Sequence, residues 1–174
     1  GYVRGSARFD GTCSLVLKNI TFQNTYKRTA GAKDTQAETI VFSSTGNMIA
    51  YNSSFISHQD TLYLGNKGGR MWFYNSYITG DVDFIWGYPE VALFEECSIY
   101  CRGDETDKAY IFASRSVADA EANKGFVLLN NKIEIGSGVS AWYGRNSGDD
   151  TQAAILNSTI TGKGTLKSEL YQSA

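Results

Sequence analysis

Apolar residues along this chain come in short runs that break at a small polar residue and resume almost at once. Two or three mostly apolar positions, a small polar residue (usually Asn), then an apolar residue three further on: the unit recurs six times. It occupies residues 15–22, 49–55, 72–78, 92–99, 127–133 and 154–160. The break positions are Asn19, Asn52, Asn75, Glu96, Asn130 and Asn157, spaced by 33, 23, 21, 34 and 27 residues. The shorter intervals fit one solenoid coil of about 20–25 residues, and the longer ones fit a coil with an extra loop. Each unit reads as two short strands meeting at a tight turn, because Asn tolerates the left-handed backbone such a turn needs. Further strands are predicted at Glu38 to Ser43, Thr61 to Leu64, Tyr110 to Ser114 and Ser140 to Tyr143. Only Val117 to Asn123 could form a turn or two of helix. The expected fold is all-β: one right-handed, single-stranded parallel β-helix domain over residues 1–174.

Composition agrees. The 174 residues include 11 Tyr, 9 Phe, 3 Trp and a single Pro, and aromatic side chains suit a pleated, half-buried surface. A net charge of −2 lacks the concentrated basic surface a nucleic acid partner requires. No run approaches the roughly 20 apolar residues of a membrane span. Gly1 to Gly5 is not a signal peptide, so location has to be argued from function. One histidine and no Cys-x-x-Cys give no metal site, and no cofactor is expected. Cys97 and Cys101 are four apart, roughly 13 Å along a strand and too far to bridge. Cys13, Cys97 and Cys101 are therefore read as free, mostly buried thiols. Asn19, Asn52 and Asn157 each start an Asn-x-Ser/Thr sequon, but all three coincide with the repeat, so a structural ladder is preferred to glycosylation.

Asp60 lies eight residues after Asn52, and Asp83 eight after Asn75. Equal offsets in consecutive coils put both on one rung, about 4.7–4.9 Å apart at the backbone. Two carboxylates so close repel, one keeps its proton, and the pair divides into an acid and a base or nucleophile. Spacing alone leaves open that they are simply solvated aspartates at strand starts.

The surrounding residues change that balance. His58-Gln59-Asp60-Thr61-Leu62-Tyr63 and Gly80-Asp81-Val82-Asp83-Phe84-Ile85-Trp86-Gly87 resemble the two central signatures of the pectin methylesterase family. Asn19 to Thr25, Thr35-Gln36-Ala37 and Tyr143-Gly144-Arg145 are similar to three further motifs of that family, in the same order, from about residue 14 to 160. The resemblance implies hydrolysis of the methyl esters of pectin (methylated homogalacturonan) by a secreted, monomeric carboxylic ester hydrolase. It implies Asp83 as nucleophile, Asp60 as acid and then base, and Arg145 as the guanidinium that keeps Asp83 ionised. Gln36 and Gln59 would be the neutral donors of an oxyanion hole. Trp86, which stands where the family has Phe, and Tyr63 and Trp142 are candidate sugar platforms, with Tyr88 a weaker one.

Three departures stand beside the resemblance. Asn146-Ser147-Gly148 follows Arg145 instead of Pro-Trp, so Trp142 would have to supply that platform. Gln36-Ala37 leads into Glu38-Thr39 rather than small apolar residues, which predicts a more exposed strand. The chain is also shorter than the family's usual domain, as if coils at both ends were missing. Competing readings are a lyase with aspartate-held Ca²⁺, a glycoside hydrolase, and a non-catalytic polysaccharide-binding solenoid. Neither enzyme alternative needs the two glutamines, and methanol release separates the esterase from all three.

Overall fold

A computed structural model describes residues 4–28, 35–65, 69–115, 124–147 and 151–173. The segment Val117 to Asn123 lies outside the described residues. Among the described residues, six successive coils of three strands each build the body of the fold. The first holds β1 (Ala7–Gly11), β2 (Leu15–Lys18) and β3 (Thr21–Gln23); the second β4 (Ile40–Ser44), β5 (Met48–Tyr51) and β6 (Ser54–Ile56). The third holds β7 (Leu62–Leu64), β8 (Arg70–Tyr74) and β9 (Tyr77–Gly80); the fourth β10 (Ile85–Gly87), β11 (Val91–Glu95) and β12 (Ser98–Cys101). The fifth holds β13 (Lys108–Ser114), β14 (Gly125–Leu129) and β15 (Lys132–Ile135); the sixth β16 (Ser140–Asn146), β17 (Ala153–Leu156) and β18 (Thr159–Gly162). Two short strands, β19 (Thr165–Leu166) and β20 (Tyr171–Ser173), close the first face against β16.

Equivalent strands of adjacent coils pair in parallel and build three sheets, the first running β1-β4-β7-β10-β13-β16-β19. This is a right-handed parallel β-helix. Every break position of the repeat sits between the second and third strand of its coil with positive φ, from 45° at Asn75 to 57° at Asn130. The amides also ladder: Asn75 donates to Asn52 (2.9 Å) and Asn157 to Asn130 (3.1 Å). One residue further on, small polar side chains turn inward and satisfy backbone groups at the corner. Asn131 Oδ1 accepts from the Cys97 N–H (2.7 Å), and Ser76 Oγ from the Ser53 N–H (3.2 Å). Buried donors at a corner need such partners, since water cannot reach them.

The interior is a stack of apolar rungs. Phe55 meets Phe73 edge-on at 5.5 Å, Phe73 stacks on Phe94 at 4.5 Å, and Phe112 stacks on Phe126 at 5.2 Å. Cys97 and Cys101 are buried free thiols, and burial lifts them to pKa values of about 11 and about 12. Cys13, expected among the buried thiols, is exposed.

Candidate active site

The chain turns into the first sheet through a left-handed residue in two consecutive coils: Asp60 at φ 62° and Asp83 at φ 53°. Aspartate visits this region more readily than most residues because its short polar side chain bonds locally. The Asp60 N–H donates to the Val82 carbonyl (3.0 Å), and Leu62 N–H to the Phe84 carbonyl (2.9 Å). That register sets Asp60 beside Asp83, about one interstrand spacing away.

The local sequence is shaped for this corner. A Cβ on Gly80 would lie 2.6 Å from the His58 carbonyl and 2.2 Å from Phe84 Cβ, and Gly87 adopts φ 128° with Leu64 backbone against it. Phe84 and Ile85 point into the core, while Trp86 points out.

Arg145 reaches Asp83 from two coils away. It comes from β16, crosses the Tyr110 ring at 5.1 Å, and grips both carboxylate oxygens: Nε to Oδ1 at 3.2 Å and Nη2 to Oδ2. A fork on two oxygens keeps a carboxylate ionised. Among the described residues no guanidinium grips Asp60, which is 7% exposed. Burial first, then the neighbouring Glu38 and Asp83 charges, push its pKa up to about 8, against the smaller opposing pull of Arg4 and Arg115. The pair is therefore asymmetric: burial and like charge favour the protonated form of Asp60, while a guanidinium grips both oxygens of Asp83.

Gln59 stands next to Asp60 in sequence, and its backbone bridges to Gln36 on the preceding coil. Its Oε1 accepts from Thr35 Oγ1 (2.6 Å) and Arg28 Nη2 (3.3 Å), which turns the amide so that its NH₂ remains to donate. Arg28 is itself fixed on the fully buried Asp81, at 2.5 and 3.1 Å, and His58 Nδ1 approaches that carboxylate at 3.3 Å. Donor atoms of His58, Asp81 and Glu105 lie within 4.8 Å of one another. The Arg28 guanidinium already supplies positive charge at Asp81.

The outward row of the first sheet runs Val41, Tyr63, Trp86, Ala113 in register. Tyr63 and Trp86 rings sit 4.2 Å apart, half-buried, and form an aromatic ledge with Tyr88, whose hydroxyl bonds that of Tyr63 at 3.2 Å. Trp142 is more enclosed. It is 6% exposed, with Tyr110 stacked at 5.0 Å and the Lys167 ammonium 5.8 Å from its ring, so little of it faces a ligand.

Glu38 and Thr39 were expected to be exposed and are not: they are 2% and 0% exposed. Arg4 covers Glu38 with a 2.7 Å bond to Oε1, and the Glu38 backbone pairs with the chain just before β1. Strand β4 accordingly starts at Ile40, two residues later than predicted. The forward offset that marks Asp60 and Asp83 does not reach this third carboxylate, because a long insertion separates it from Asn19; back from the next break it is 14 residues off, against 15 for Asp60 and 13 for Asp83. Buried polar atoms without a partner among the described residues include Gln36 Oε1, Glu38 Oε2, Trp86 Nε1 and Trp142 Nε1.

The sequence model of the pectinesterase family matches residues 6–165. A pectinesterase from the rice weevil Sitophilus oryzae is 34% identical over 133 residues, covering 74% of this chain and 32% of that protein. A carrot (Daucus carota) pectinesterase is 28% identical over 154 residues, covering 84% of this chain and 46% of that protein. The chain thus spans a third to a half of the length of these curated relatives. Among solved structures, carrot pectin methylesterase superposes with a TM-score of 0.66 at 22% identity, over 95% of this chain and 63% of that one. Rice weevil pectin methyl esterase gives 0.63 at 18% identity, over 83% and 56%. At these identities the likeness speaks for the fold.

Proposed function

Because this chain belongs to the pectinesterase family, we propose that it removes methyl groups from pectin by hydrolysing the methyl esters of polygalacturonate. The observation that carries this reading is the asymmetric pair: Asp60 pushed up to about 8 beside Asp83 gripped by Arg145. Asp83, ionised, attacks the ester carbonyl carbon. The developing oxyanion takes hydrogen bonds from the Gln59 and Gln36 amides, donors that cost nothing in charge before the oxyanion exists. Asp60 delivers its proton to the departing methoxide, methanol leaves, and an anhydride joins Asp83 to the uronate. Asp60, now ionised, takes a proton from water, whose oxygen attacks the acyl carbon. The Asp83 carboxylate and the uronic acid are released, the acid gives its proton to solvent, and Asp60 again bears its own. The Trp86 and Tyr63 ledge offers sugar rings an apolar face, and Trp142, enclosed by Tyr110 and Lys167, lies behind the exposed surface. A polymeric substrate that cannot enter a cell makes the protein a secreted one, and all the roles lie on one chain, as a monomer requires.

The test is Asp83→Asn with methylated pectin. Asparagine keeps the left-handed turn and the side-chain shape, so circular dichroism should be unchanged while methanol release falls at least about 10³-fold, as for loss of a nucleophile. Wild-type turnover in the variant removes Asp83 from the role. New unsaturated or reducing ends from the unaltered protein, without methanol, would replace the esterase by a lyase or a glycosidase. Polygalacturonan binding with no product of any kind would leave a binding solenoid.

A further inference from the structure

The row that carries Asp60 and Asp83 does not begin with Asp60. Gln36 bridges to Gln59 and Ile40 pairs with Leu62, which places Glu38, between them, alongside the Asp60 corner one coil earlier. Three carboxylates, Glu38, Asp60 and Asp83, thus stack along the groove, each almost closed off from solvent at 2%, 7% and 3% exposure. Their compensation differs. Asp83 has a guanidinium on both oxygens. Among the described residues Glu38 has Arg4 on Oε1, and its Oε2 is buried without a partner. The middle carboxyl has no bond to a cation among those described.

We propose that Glu38 is a positioning residue that acts through Asp60, its fixed carboxylate keeping the central member of the row in the acid form needed to protonate the leaving group. The proposal rests on the esterase reading for its use, though not for its electrostatics. Two like charges one interstrand spacing apart interact strongly when water is excluded, and the less compensated neighbour repels more. Facing Asp60 are the Glu38 and Asp83 carboxylates and the Arg4, Arg115 and Arg145 cations. Among the charged neighbours both Glu38 and Asp83 raise the Asp60 pKa, Glu38 the more. Burial also lifts Glu38 itself, while Arg4 opposes that shift and favours its ionised form.

The experiment follows the Asp60 carboxyl directly. The full chain is labelled with ¹³C at aspartate carboxyls, the Asp60 signal is identified by its loss in Asp60→Asn, and its titration is compared in wild type, Glu38→Gln and Glu38→Met. Both variants remove the charge and keep the volume, so one remains if the other does not fold. The Asp60 midpoint should fall by about one pH unit or more in each, and Glu38→Asp should retain most of the wild-type value. The descending, high-pH limb of kcat/KM for methanol release should move down with it, a shift that a merely structural Glu38 would not produce. An unchanged midpoint in the folded Gln and Met variants overturns the proposal. Moved midpoints in a protein that releases no methanol uphold the coupling and overturn the esterase reading instead.

Discussion

The behaviour of single residues here follows from what surrounds each carboxyl. Asp60 has an ordinary value of 3.8 and a folded value of about 8. Between those two pH values the native state holds a proton that the unfolded chain has released. The stability that Asp60 contributes is therefore complete below pH 3.8 and is lost as pH rises through 8. Asp60→Asn abolishes the titration and keeps a residue that tolerates φ 62°. Every tenfold change in proton affinity between the two states is worth about 1.4 kcal/mol, so the variant should exceed wild type by a few kcal/mol in urea unfolding at pH 8, and the gain should vanish near pH 4. A variant that gains equally at both pH values would show that burial of the charge is not what strains this site. Asp60 and Asp83 were legible in the sequence because offset and motif both marked them. Arg28, which orients the Gln59 amide, was not, because nothing local in the sequence ties it to a residue 31 positions away.

At the scale of the strand pair, the corner after each second strand decides the coil. Five of the six corners use Asn in the left-handed region, while the fourth uses Glu96 at φ 53°. A glutamate gains no local bond that offsets the crowding of its Cβ against the carbonyl there. Its contact with the Tyr74 hydroxyl is at the exposed surface and contributes little. Glu96→Asn should therefore stabilise the protein by about 1 kcal/mol, readable as a thermal midpoint roughly 2–4 °C higher. An unchanged or lower midpoint would mean that the turn is held by something other than backbone preference. These corners were readable from sequence because a left-handed backbone narrows the choice of residue. The start of β4 was not, because a buried carboxylate under Arg4 looks in sequence like the polar edge of an exposed strand.

Over the whole molecule, backbone pairing joins each coil only to its neighbours, so the interior stack is the main path that transmits stability along the axis. Phe73 is fully buried between Phe55 and Phe94. Phe73→Ala should cost about 3–5 kcal/mol and lower the denaturant midpoint without moving the titration of Asp60, which lies on another face; a change below about 1 kcal/mol would mean that the rungs are not coupled through the aromatic stack. The same axial order explains the division between sequence and structure. The amino-acid sequence by itself determined the coil, its six corners and the shared rung of Asp60 and Asp83, because turn chemistry and side-chain alternation are local and repeat with the chain. Tertiary structure alone decided that Arg145 spans an intervening coil to reach Asp83, that Trp142 is closed over by Tyr110 and Lys167, and that Glu38 joins the carboxylate row. Those contacts depend on insertions of unequal length between coils, which shift sequence spacing without shifting the register that backbone pairing enforces.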